Sequence, residues 1–335
     1  MEAFNLEILN PGPVLMDLKS QLQAFTVLPN LYLSRSQKNN QPDPSTANQE
    51  VNALGIHTAV LPEILQLMGI RSLTLNAMPD LSPLVRLSGD IPSAGSVRDQ
   101  WRFLTGNAVT QELQVFFRNC RTIAFNDWSS LAGASDLWNS LLTDVIKPIG
   151  KKDLEFIFYL GDPLTKLSFQ VDEALDIISD FSLYGQVTFA LDEGEAINLW
   201  RVLNGVQRDT PVSNHNFLDL KRKYISIFRT MNIARLLIYS TTDAILFTKQ
   251  EQFILARKKV APSIEIAADA RQHFIEGFSL GLLLQLDMAH CLALGLIVFG
   301  SHGELRVHPD QNDLIAYINR WADELQKPET MYLYQ

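Results

Sequence analysis

At 335 residues, with 47% hydrophobic and 19% charged side chains, the chain has the make-up of a compact soluble protein and enough material for a large core. A formal net charge of -9, with Lys and Arg scattered apart from short runs such as residues 221–223, argues against a nucleic-acid partner. The longest apolar stretch, 278–300, is broken by Gln285, Asp287 and His290, so it reads as core helices and not as a membrane span.

The opening MEAFNLEILN carries no basic or signal-like run, and the only cysteines are Cys120 and Cys291, which implies a reducing, cytoplasmic setting. Residues 34–50, SRSQKNNQPDPSTANQE, read as a polar, proline-containing loop. LTLNA at 73–77 is the first of several short runs apolar on both faces. GSVRDQWRFLTGN at 95–107 reads as two strands around Asp99-Gln100. TIAFND (122–127), EFIFYLGD (155–162), GQVTFAL (185–191) and RLLIYS (235–240) repeat the two-faced apolar pattern, which belongs to parallel strands covered by helices.

Helical segments fall between these strands. After FALDEGE, Ala196, Leu199, Trp200 and Leu203 recur at helical spacing, and Asn204-Gly205 closes the helix. AADARQHFIEGFSLGLLLQLD at 267–287 reads as a polar lead-in to a buried helix with an apolar stripe around Gly277 and Gly281. The alternation predicts one doubly wound, mostly parallel α/β domain across 1–335, with ligands at the C-terminal ends of the strands. Residues 34–50 and 95–107 stand outside the alternation as peripheral additions.

The order of these pieces resembles the PfkB/ribokinase family of carbohydrate kinases, and the likeness covers most of the chain. DARQHFIEGFSLGLLLQLD is similar to the family's G-A-G-D-x-F-x-A-G-F signature and the long buried helix behind it, and FGSHGELRVHPDQNDLIAYINRW to its C-terminal loop and helix. LGDPLTKLS (160–168) and FSLYGQVTFALDEGEAINLWRVL (181–203) resemble the Asp-Pro turn and the strand into the N-x-x-E helix of a bacterial branch. The resemblance implies a ribokinase-like fold with a small β-sheet lid, contributed by about residues 18–50 and 88–107, and a homodimer through that lid.

It also implies site residues. In G-A-G-D, glycine backbone at a helix N-terminus meets the charge on the transferred phosphoryl group, and the Asp takes the proton from the sugar hydroxyl. Setting Gly277-Phe278 on the family's Gly-Phe places Asp269, Ala270, Arg271 and Gln272 on the four positions. The base position is then Gln272, whose amide accepts no proton near neutral pH, and both glycines are replaced. Asp269 and Gln272 also fit a capping box, in which the helix satisfies its own first N–H groups. A register that makes Asp269 the base shifts it three residues, about 4.5 Å along a helix.

On the substrate side, Asp17 resembles the acid that ends the first strand and grips sugar hydroxyls, while Asn52 and His57 fall near the diglycine and Asn of G-G-x-x-x-N. Asp192 and Glu195 fall on N-x-x-E, whose acid organises Mg2+ and the ATP phosphates, although D-x-x-E at a helix start is equally an ordinary cap. STTDA (240–244) stands at the nucleotide loop without a glycine and reads as a turn between strands. Trp101 and Trp128 read as core or lid aromatics, which would line a pocket where lid and sheet edge meet as the resemblance implies, and His302, His308 and Asp310 make too weak a pattern for a metal site.

The leading expectation is therefore a sugar-kinase homologue without phosphotransfer, binding a small sugar or nucleoside in a regulatory or scaffolding role. Two alternatives stay open: an active ATP-dependent carbohydrate or nucleoside kinase with a displaced base, and a different chemistry in the same cleft.

Overall fold

A computed structural model of the chain describes residues 6–24, 65, 68–75, 84–86, 107–207, 210, 217–240, 242–257, 270–305 and 309–326. In chain order the elements are β1 (Leu6–Ile8), α1 (Pro11–Ala24), β2 (Ile70–Leu75), β3 (Leu84–Arg86), α2 (Asn107–Asn119) and β4 (Cys120–Asp127). Next come α3 (Ala134–Leu141), β5 (Leu154–Tyr159), α4 (Ser168–Asp180), β6 (Gly185–Asp192), α5 (Glu193–Leu203) and α6 (Phe217–Thr230). The remainder is β7 (Arg235–Tyr239), β8 (Asp243–Thr248), β9 (Gln252–Ala256), α7 (Ala270–Leu283), α8 (Met288–Leu305) and α9 (Gln311–Gln326). The α/β class and the predominance of parallel pairing agree with the reading of the sequence.

The chain gathers into two compact units, Met1–Leu31 with Tyr239–Leu246 and Glu251–Gln335, and Tyr32–Ile238 with Phe247–Gln250. In the larger unit the strands run in the order β7-β6-β5-β4-β2-β3. β4 pairs parallel with β5, and β5 with β6, in a register that sets Ile123 beside Phe156 and Phe156 beside Val187. Their two-faced apolar runs are buried as expected, because helices cover what a solvated antiparallel sheet would expose. β2, expected to be parallel, pairs antiparallel with both β3 and β4. An apolar run records burial and not direction, so the sequence leaves that choice open.

Aromatic packing fixes this unit's core. Phe125 stacks on Phe158 at 4.4 Å between centroids, and Trp138 and Phe181 meet the pair edge-on. Trp138 lies in α3, which continues through a π turn, Leu142–Ile146, to Ile149 and stops at left-handed Gly150. Its indole N–H donates to the Met68 carbonyl at 3.1 Å, so the large buried ring leaves no polar atom unmet. Arg235 at the start of β7 forms a two-pronged ion pair with Glu155 on β5, at 2.7 and 3.3 Å.

In the smaller unit, β1 pairs parallel with β9, and α7 packs against α8. Three residues that interrupt the apolar stretch build the turn between these helices. Gln285 takes the left-handed conformation (φ 57), the Leu286 N–H donates to the Gly281 carbonyl at 3.0 Å, and that of Gln285 to Leu282 at 3.2 Å, which together close a Schellman motif. Asp287 then caps α8 by accepting from the His290 N–H at 2.9 Å. Met288–Leu305 is long and apolar enough to cross a membrane, but 67% of it is buried inside the protein, as a core helix would be.

Glycines let α7 and α8 approach closely. A Cβ on Gly277 would stand 2.4 Å from the Leu294 carbonyl oxygen, one on Gly281 2.8 Å from Cys291 Sγ, and one on Gly295 2.9 Å from the Phe274 ring. The stripe expected around Gly277 and Gly281 is thus a helix-packing surface. At the exit of β9, buried Arg257 lies over the Tyr317 ring and reaches Glu324 at 3.6 Å and Glu304 at 3.9 Å. Burial lowers its pKa, and the two glutamates oppose that shift.

Candidate functional site

The C-terminal ends of β4, β5 and β6 come together in the larger unit, where a parallel α/β sheet is expected to receive ligands. Asp127 ends β4 and pairs in register with Tyr159 of β5, and Tyr159 pairs with Ala190 of β6. The Ser129 N–H donates to the Leu160 carbonyl at 2.9 Å, tying the exits of the first two strands. Between them, Gly161 is left-handed (φ 74), and a Cβ there would lie 2.1 Å from Ser129 Oγ and 3.2 Å from Asp127 Cβ. Conformation and space both demand glycine at this position.

Asp162 begins the turn seen in the sequence as GDPLT. Its Oδ1 accepts from the Leu164 N–H and from Asn198 Nδ2, each at 3.1 Å, so the turn after β5 is joined to α5, the helix after β6. Asp192 and Glu195 close a capping box: Asp192 Oδ1 accepts from the Glu195 N–H at 2.7 Å, and Glu195 Oε2 accepts from the Asp192 N–H at 3.0 Å. Glu195 is only 4% exposed. The cap that the D-x-x-E spacing allows is formed.

The sequence reading did not single out Asp127. Its Oδ1 is buried and accepts no hydrogen bond among the described residues, whereas Asp162 and Asp192 each use Oδ1 on a neighbouring N–H group. The available signal was an aspartate at the C-terminal end of a strand apolar on both faces. Trp128 follows it, buried, with its indole N–H donating to Ser135 Oγ at 3.1 Å and Lys166 Nζ lying 5.8 Å from its ring.

In the smaller unit, Asp17 is not at the end of the first strand. β1 stops at Ile8, and α1 starts at Pro11, with Asn10 Oδ1 accepting from the Gly12 N–H at 3.2 Å. Proline at the first helical position, after an asparagine that supplies the cap, begins a helix there, so Asp17 lies mid-helix with its side chain 62% exposed. Its Oδ2 stands 3.2 Å from His290 Nε2 and accepts from Gln21 Nε2 at 3.0 Å. Residues 18–24, expected at the start of the lid, belong to this same helix.

Arg271 and Gln272 fall in the first turn of α7, but their side chains, with Asp269, Asn52, His57, Trp101, His308 and lid residues 25–50 and 88–106, lie outside the described residues. Directly after them in α7, buried His273 approaches Glu276 to 3.1 Å between Nδ1 and Oε2, and the His273 ring stacks on His302 of α8 at 3.4 Å. The sequence reading singled out neither His273 nor Glu276. Among the described residues, no three His, Cys, Asp or Glu side chains are placed to hold a metal ion. At 240–244 the Ser240 hydroxyl accepts from the N–H groups of Thr242 and Asp243, each at 3.1 Å, as befits a turn between strands.

No family model and no curated protein matches the chain. Solved structures similar to it include Arabidopsis thaliana ribokinase complexed with ribose and ATP, at 10% identity over 64% of this chain and 59% of that one, with a TM-score of 0.45. A carbohydrate kinase from Agrobacterium tumefaciens is similar at 14% identity over 67% of this chain and 61% of that one, with a TM-score of 0.40. Burkholderia thailandensis nucleoside kinase, in complex with inosine, is similar at 12% identity over 56% of this chain and 53% of that one, with a TM-score of 0.38. The chain spans less than two thirds of the length of each of the three. Likeness at this level carries no argument about activity.

Proposed function

We propose that this chain is a sugar-kinase homologue of the ribokinase kind that does not transfer phosphate and acts by binding, in a regulatory or scaffolding role. The observation that carries the reading is the closed capping box of Asp192 and Glu195. A carboxylate that organises Mg2+ turns its oxygens toward the ion, and here one oxygen of each acid is engaged by the other residue's backbone N–H, with Glu195 buried. The cap turns both acids toward the first turn of their own helix, and no catalytic step runs through them. Gln272 at the position of the family's base, with Asp269 and Arg271 in place of its glycines, supports the same reading from the sequence.

The ligand class that fits this reading is a small sugar or nucleoside, held at the C-terminal strand ends that carry Asp127 and Asp162. The chain pairs with a second copy through the lid stretches 25–50 and 88–107 and works in a reducing compartment, where both buried cysteines stay free thiols. The test combines a coupled ATPase assay over a panel of sugars and nucleosides with a thermal-shift screen of the same compounds. The expected result is no turnover, with at least one sugar or nucleoside raising the melting temperature. Turnover with any sugar, abolished by Asp269→Asn, would overturn the proposal and favour the active kinase with a displaced base.

A further inference from the structure

The larger unit carries a second feature, at the opposite ends of its strands. A cleft of about 420 Å³ opens beside the first residues of β6 and β7, lined by Ser182, Gly185, Gln186, Asn232, Arg235 and Lys249 among others. That volume lies within the range of sites for small metabolites, roughly 300 to 1,000 Å³, and is far more than a lone ion fills. Gly185 lets strand β6 begin hard against β5, since a Cβ there would meet the Leu154 carbonyl oxygen at 2.2 Å.

The charge of the lining runs against that of the whole molecule. The chain carries a formal charge of -9, yet among the described residues the cleft is lined by Arg235 and Lys249 and by no acid. The two cations are held differently. Arg235 is fixed by Glu155 behind it, at 2.7 and 3.3 Å, and by Thr188 Oγ1 at 3.2 Å, so its charge is largely compensated. Lys249 is exposed and reaches only Asn232 Oδ1 among the described residues, at 3.4 Å, which leaves its ammonium hydrogens available. A point-charge cation and the side-chain amides of Asn232, Gln186 and Gln250 around one space are groups that receive phosphate or carboxylate oxygens.

We propose that this cleft binds a small metabolite carrying a phosphate or carboxylate group, at a site separate from the strand ends that bear Asp127 and Asp162. The proposal does not depend on whether the chain transfers phosphate. The test is calorimetric titration of the full chain at low ionic strength with inorganic phosphate, glucose 6-phosphate and citrate, repeated on Lys249→Ala and Asn232→Asp. At least one anion is expected to bind, glucose 6-phosphate more tightly than phosphate if a phosphoryl group is recognised and citrate most tightly if carboxylates are. Lys249→Ala should weaken binding about tenfold, the size of a lost charged hydrogen bond, and Asn232→Asp should abolish it by placing an acid beside the lysine. Both positions are at the surface of the cleft, and unchanged melting temperatures without ligand would confirm that the variants fold. Failure of all three anions to bind, or binding that survives both substitutions, would overturn the proposal.

Discussion

Replacing Gly277 by alanine sets two effects of known size against each other. Helix propensity alone favours alanine by about 1 kcal/mol at an interior position. The new methyl, however, would stand 2.4 Å from the Leu294 oxygen, 2.8 Å from the Leu294 carbonyl carbon and 2.9 Å from Gly295 Cα, all backbone of α8. Normal carbon contacts lie near 3.5 to 4.0 Å, so α7 and α8 must move apart by roughly 1 Å, with no flexible side chain to yield instead. Overpacking of this kind costs about 1 to 3 kcal/mol, and the separation also loosens Gly281 against Cys291 and Gly295 against Phe274. The net expectation is a destabilisation of about 1 kcal/mol, after the propensity gain is subtracted. Urea unfolding followed by far-UV circular dichroism measures it, with Gly12→Ala as the control. There the nearest atom to a new Cβ is Asn10 Oδ1 at 3.5 Å, so only a small gain of a few tenths of a kcal/mol is expected, about what a Gly-to-Ala change gives without strain. A Gly277→Ala protein as stable as its parent, with Gly12→Ala behaving as expected, would refute the claim that close helix approach is why Gly277 is a glycine.

Asp192→Ala should cost about 1 kcal/mol through loss of the cap and leave Mg-ATP affinity unchanged by calorimetry, whereas a metal-organising acid would lower that affinity. Gln272→Asp alone should produce no phosphotransfer in a coupled assay, because Asp269 and Arg271 still replace the glycines that admit the phosphoryl group. Arg235→Met leaves Glu155 with its side chain 14% exposed and no counter-charge from Arg235, and should destabilise by about 3 kcal/mol in urea titrations. Arg222→Ala, from a pair 82% and 41% exposed, should change stability by less than about 1 kcal/mol. Burial pushes the Cys120 thiol pKa far up, so the folded chain holds that proton while the unfolded chain loses it near pH 8.5. The thiol's contribution to stability is therefore intact below pH 8.5 and falls by about 1.4 kcal/mol per pH unit above it, and a thiol reagent should label two cysteines only after denaturation.

The sequence by itself determined what neighbours along the chain decide. The apolar runs of β4, β5, β6 and β7 were legible as buried strands because each alternates nothing, and α5 was legible because Asp192 and Glu195 lie three residues apart and cap from within one turn. Gln285, Asp287 and His290 likewise marked a break in the apolar stretch, since a helix end needs polar partners close by. Tertiary structure alone decided the direction of β2, the approach of His273 to His302, the join from Asp162 to Asn198 and the cleft between Gly185 and Lys249. Each of these sets residues 10 to 64 positions apart against one another. Asp17 shows the boundary within a single case: its carboxyl chemistry was plain, but Asn10 and Pro11 turned the strand end into a helix, and a histidine far along the chain supplied its partner. Periodicity and capping are local free energies written into consecutive residues, whereas a site depends on which distant segments the collapsed core brings within hydrogen-bonding distance.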